Sequence, residues 1–153
     1  VEVTVACAVQ ALNIYYIPDL IRWKLEQNFK KINMWPFGAG GVNYHFVYWP
    51  PHLNVKIFPL WFKEKTKQKY EDFYPWWEKN WEKGIPSWHK EKVAYEKWRE
   101  AGYGIKRLEG MINFMYQEDW SRRMHEFQEY IILNDQVRRT NFRNTFFEMS
   151  ELL

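Results

Sequence analysis

Two side-chain amides and one indole stand where a folded sheet could use them. Gln10 closes one alternating run, Asn33 and Trp35 lie in another, and Asn13 follows the first in a loop. In α/β folds ligands sit beyond the carboxyl ends of the strands. Gln10, Asn33 and Trp35 are therefore the expected inner-face set, with hydrogen-bonding amides and a ring for stacking. The alternative is a polar interior whose amides are satisfied by protein and whose Trp is simply packed. His45 and His52 have prolines between them and no nearby carboxylate, which fits no metal-ligand spacing. His89 and His125 lie among charges and read as surface. Glu118-Asp119 is explained more simply as a loop and cap before Ser121 than as a pair of catalytic acids. The single thiol, Cys7, falls on an apolar strand face, where a thiol is inert. No Ser–His–Asp or Cys–His nucleophile is visible.

The elements that must position these residues are legible in the hydropathy pattern. Val1, Val3, Val5, Cys7 and Val9 alternate with small or polar residues, which predicts a strand over 1–10. Its valine face suits a covering of helices, and its small, polar face suits the lining of a barrel or cleft. Pro18 and Asp19 open a helix in which Ile17, Ile21, Leu25 and Phe29 recur every four residues. Ile32–Trp35 reads as a second strand, stopped by Pro36. Strand, helix and strand in this order predict a parallel unit with a right-handed crossover. Gly38–Gly41 is a flexible turn that lacks the lysine and spacing of a phosphate loop. Val42–Tyr48 is a third extended piece, and His52–Phe58 alternates briefly before Pro59.

From Leu60 onward the pattern is helical. Phe62, Tyr70, Phe73 and Trp77 form one stripe, with Pro75 expected to bend or end the helix. Gly84–Ser87 reads as a linker and Lys90–Ala101 as a further helix. Ile105, Leu108, Met111, Ile112 and Met115 trace a clear 3.6-residue stripe. Ser121 is the expected cap of the next helix, which turns Met124, Phe127 and Ile131 inward. Asp135 and Arg138 are spaced to pair within it. Thr145 and Glu148 suit a capping box before a short last helix. The fold class expected is α/β: a partial (half) parallel β/α barrel over 1–58, followed by a mostly helical, aromatic-rich region over 59–153.

Composition narrows the function classes. A chain of 153 residues with 46% apolar and 27% charged residues is neither disordered nor fibrous. Aromatic residues reach 20%, so the core must be built from rings as much as from aliphatic groups. The net charge of +3 comes with Lys and acidic residues interleaved through Lys63–Glu100. Such a run is a solvated helix face and argues against nucleic acid as a partner. With one cysteine, neither an intrachain disulfide nor a four-thiolate metal site is possible, and a cytoplasmic setting is expected. No run approaches the ~18 apolar residues of a spanning helix, so no membrane is expected. A chain opening directly on a strand leads to the expectation that more of the protein precedes it.

Several segments resemble a known family. Asn13-Ile-Tyr-Tyr-Ile-Pro18, the Lys31–Gly41 stretch and Pro50-Pro-His-Leu-Asn54 resemble the late barrel strands of radical SAM proteins, within them the twitch-domain proteins of phage and environmental sequences. The run Leu133-Asn-Asp-Gln-Val-Arg-Arg-Thr-Asn-Phe142, with Asn144-Thr-Phe-Phe-Glu148, looks like the tail of the same group. Phe147 stands where that group's TFPE-like ending has proline. The resemblance implies S-adenosylmethionine and a [4Fe–4S] cluster as cofactors of the full-length protein. It also implies that the late strands contact the adenosine part, which makes Gln10, Asn13, Asn33 and Trp35 the expected cofactor-binding residues. The family holds its cluster through C-x3-C-x2-C, and Cys7 alone cannot supply three thiolates. The expectation is therefore a C-terminal portion, inactive without its N-terminal half in the same or a separate chain, acting on a peptide or small molecule. The alternative is a non-catalytic, aromatic-rich helical module that binds another protein.

Overall fold

A computed structural model describes residues 5–27, 42–81 and 103–153. Strand β1 (Val5–Val9) turns Val9 fully inward and leaves Ala6 and Ala8 exposed, as its alternation predicts. Helix α1 (Ile17–Glu26) carries Pro18 in its first turn and buries Ile17, Ile21 and Leu25. Strand β2 (Val42–Phe46) pairs with β1 in parallel, Val5 opposite Val42 and Val9 opposite Phe46. The parallel strand–helix–strand order is present, and the partner of β1 is the segment at 42–46. Ile32–Trp35, the strand expected beside β1, lies outside the described residues, as do the Gly38–Gly41 turn, the 84–87 linker and the 90–101 helix.

Helix α2 (Leu60–Asn80) is long and buries Phe62, Thr66, Tyr70, Phe73 and Trp77 along one side. It continues through Pro75, against expectation. Pro75 and Glu71 both face solvent, so the carbonyl that loses its partner is free to meet water. Phe73 and Trp77 are buried on either side of the proline, and their packing outweighs the local cost of a helical proline. Helix α3 (Tyr103–Tyr116) turns Leu108, Met111, Ile112 and Met115 inward, the stripe read from the sequence. Helix α4 (Met124–Arg138) buries Phe127 and Ile131. A turn of 3-10 helix at Ser121–Arg123 precedes it, and no side chain caps its start. The short α5 (Phe142–Thr145) is capped by Asn141, whose side chain accepts from the Asn144 N–H. The expected box at Thr145 does not form. Thr145 ends that helix, its hydroxyl donates to the Asn141 carbonyl (3.0 Å), and a 3-10 turn follows over Phe147–Leu152.

The half-barrel expectation is overturned. The described residues are mostly helical and hold one sheet of two strands, β1 and β2. The segment read as alternating at 52–58 instead forms two 3-10 turns, Pro51–Leu53 and Val55–Ile57. Asn54 through Phe58 are buried without interruption, which a strand with one solvent face would not show. One core joins the sheet, the turns and the helices. Tyr15 packs on Phe62 (5.6 Å between ring centres), Phe58 on Phe62 (4.6 Å) and Phe46 on Phe114 (4.2 Å).

Candidate functional site

The candidate site is the carboxyl end of the parallel pair, where β1 runs into the turn before α1. The Gln10 carbonyl accepts from the N–H groups of Asn13 (3.1 Å) and Ile14 (3.0 Å). Asn13 closes this turn with its side chain: Oδ1 accepts from the Gln10 N–H (2.9 Å) and Nδ2 donates to the Ala8 carbonyl (2.8 Å). Its amide is thus occupied in holding the loop. Gln10 is half-buried beside it. Asn33 and Trp35 lie outside the described residues, so the structure brings together two of the four expected site residues. The turn is anchored from below, since the Ala11 N–H donates to the Leu53 carbonyl (2.8 Å) and the Val47 N–H to the Val9 carbonyl (2.9 Å).

Cys7 is half-buried, and burial pushes its thiol pKa up, away from the thiolate that metal binding and nucleophilic attack need. It is the chain's one thiol and does not fit the three-thiolate requirement of a [4Fe–4S] cluster. Among the described residues no group of His, Cys, Asp or Glu is placed to hold a metal ion. His45 and His52 stay apart in role: His45 is exposed, whereas the His52 ring stacks on Tyr130 (4.6 Å).

Two clusters that the sequence does not reveal bind the elements to one another. Lys56, almost fully buried, donates to Glu118 Oε1 (2.5 Å), and its ammonium lies 4.6 Å from the Phe114 ring centre. Glu118 Oε2 accepts from the Trp120 indole (3.0 Å), and Lys63 donates to the Glu118 carbonyl (3.0 Å). The hydrogen bonds from Lys56 and Trp120 hold the Glu118 carboxyl below its usual range. Asp119 accepts from the Ser121 N–H (2.9 Å), so the two acids shape a loop, as expected. In the second cluster Tyr16 donates to Glu148 (2.8 Å), Lys65 to the Glu148 carbonyl (2.6 Å), and Lys69 pairs with Asp19. Burial first, and the bond to Glu148 next, push the Tyr16 phenol far above its ordinary value. Lysines 56 and 63 were hidden because a lone Lys in a helical or turn pattern reads as surface.

Among the described residues, the fold and this site define a mostly helical arrangement with one parallel strand–helix–strand unit. No known protein family, curated protein or solved structure matches it.

Proposed function

We propose that the chain is the C-terminal portion of a radical SAM enzyme, which contributes part of the S-adenosylmethionine pocket and a helical cap over the substrate. The cluster-binding cysteines belong to another segment or a separate chain. The observation that carries this reading is the uncovered side of the parallel pair. Ala6, Ala8 and His45 are exposed there, whereas parallel sheets are ordinarily covered on both faces. On β1 the small side chains of Ala6 and Ala8 leave room for a second polypeptide or a cofactor to lie close to the backbone. Gln10, at the strand's carboxyl end, offers the amide for an adenine edge. In that setting S-adenosylmethionine supplies the radical chemistry and this chain supplies binding and enclosure.

The test is to express the chain together with the reading frame that precedes it in its genome, anaerobically and with iron and sulfide. The expected result is a three-cysteine motif spaced C-x3-C-x2-C in that preceding reading frame. The assembled protein should then cleave S-adenosylmethionine to 5′-deoxyadenosine under reduction, and Ala8→Trp should abolish that cleavage. Absence of the motif, or cleavage indifferent to Ala8→Trp, defeats the proposal.

A second reading, a non-catalytic protein-binding module, draws on Tyr48 and Trp49, which are 64% and 79% exposed just beyond β2. Rings of this kind are enriched at interfaces. Sedimentation separates the readings: a concentration-independent monomer, unchanged by Trp49→Ser, counts against docking.

A further inference from the structure

Between α4 and the short α5, against the turn that follows β1, lies a cavity of about 240 Å³. Leu12, Ile131, Phe142 and Phe146 give it apolar walls, and Asn134 and Arg138 stand at its edge. The walls are set firmly. Phe142 is buried and packs on Phe127 (6.0 Å) and Phe146 (5.0 Å). The Tyr130 ring, also on the cavity, is held by its stack on His52.

The polar groups around the cavity divide into satisfied and available. Asp135 is fully engaged: Oδ1 accepts from the Thr140 hydroxyl (2.8 Å) and Oδ2 from the Phe142 N–H (2.8 Å). It does not form the expected ion pair with Arg138. Asn134 donates to the Tyr130 carbonyl (2.8 Å), which leaves its side-chain oxygen at the edge. The Arg138 guanidinium has no hydrogen-bond or ion-pair partner among the described residues. The Asp135 charge and the carbonyl end of α4 both oppose an anion here. Against them, the stretch 134–146 carries Arg138, Arg139 and Arg143 with Asp135 as its one acid, three charges less one, or +2. The last carbonyls are also partly occupied, because the Asp135 carbonyl accepts from the N–H groups of Arg139 and Thr140.

We propose that this cavity binds an aromatic carboxylate, its single ring between Ile131 and the two phenylalanines and its carboxylate on Arg138. The volume suits one ring with a short arm and lies below the range of drug-sized pockets. A guanidinium matches a carboxylate in planar, two-point geometry. The carboxylate belongs either to a free acid or to the C-terminal aromatic residue of a peptide. Leu12 brings the cavity up against the turn after β1, but the carboxylate's partner, Arg138, belongs to α4. The inference stands or falls independently of the enzyme reading, because the test measures binding by this chain alone.

Methyl NMR of Leu12 and Ile131 during titration with 3-phenylpropionate, up to about 10 mM to reach weak affinities, reads the ring's arrival. Saturable shifts are expected. Arg138→Gln, at an exposed position, should weaken binding about tenfold, the usual effect of one charge-assisted bond. The neutral 3-phenyl-1-propanol should bind the unaltered chain as weakly as the acid binds R138Q. Acetyl-Gly-Phe with a free carboxylate distinguishes the sources: tighter binding than 3-phenylpropionate supports a peptide end, weaker binding a free acid. No saturable shift with either acid overturns the proposal. So does equal affinity for acid and alcohol, or an R138Q protein that binds as well as the original.

Discussion

Asn13 shows how a residue with ligand chemistry can be claimed by its own backbone. Its amide satisfies a donor at Gln10 and an acceptor at Ala8. Asn13→Ala leaves both without a side-chain partner and should lower stability by about 1–3 kcal/mol, measured by urea unfolding. Gln10→Ala, which removes none of these bonds, should change stability by less than about 0.5 kcal/mol. Equal effects would show that the loop does not depend on Asn13. The sequence identified Asn13 as a polar residue after a strand, but its role was not legible. An amide that reads a ligand and one that closes a turn have the same composition, and only the positions of Ala8 and Gln10 decide between them. Tyr70 is a further instance. Its hydroxyl donates to the Ile14 carbonyl (2.7 Å) across 56 positions of sequence, a partner no local pattern could indicate.

Elements held by a 3.6-residue stripe were readable, and those set by a distant partner were not. The stripes of α1, α2 and α3 follow from apolar spacing alone, because each helix buries one side against a common core. The pairing of β1 with 42–46 depends on register between separate segments, which apolar alternation leaves open. Helix contact supplies a sharp test. At Gly104 of α3 an added Cβ would lie 2.5 Å from Trp77 Cζ2, against a ring that is itself buried. At Gly110, on the same helix, it would meet nothing within 4 Å. Gly104→Ala should therefore destabilise by about 1–3 kcal/mol through overpacking. Gly110→Ala should stabilise by about 0.5–1 kcal/mol through helix propensity. Thermal unfolding of the two variants decides: shifts of the same sign would mean that α3 and α2 do not approach as described.

At the scale of the whole molecule, the titrating groups in the core predict how stability follows pH. Burial pushes the Lys24 amine down to about 8, whereas an unfolded lysine titrates near ~10.4. Between those values the unfolded state holds more protons, so stability rises with pH. Burial also raises the phenols of Tyr16, Tyr44 and Tyr70, and pushes Tyr74 up to about 12. Above ~10, where unfolded tyrosines ionise, the folded state holds more protons and stability falls. Urea unfolding across pH should show a maximum between about 9 and 10.5. Lys24→Met should flatten the rising limb and leave the falling one. A rising limb that survives this substitution would assign it to another group.

The clasp between Tyr16 and Glu148 joins residues 132 positions apart, and the neighbouring Met149 and Leu152 are buried. During synthesis the turn ahead of α1 must therefore wait until nearly all the described chain has emerged before Tyr16 gains this partner. Contacts of such long range slow the final folding step. A ribosome stalled before the Glu148 codon should accordingly carry a product that proteases still cut in the turn ahead of α1.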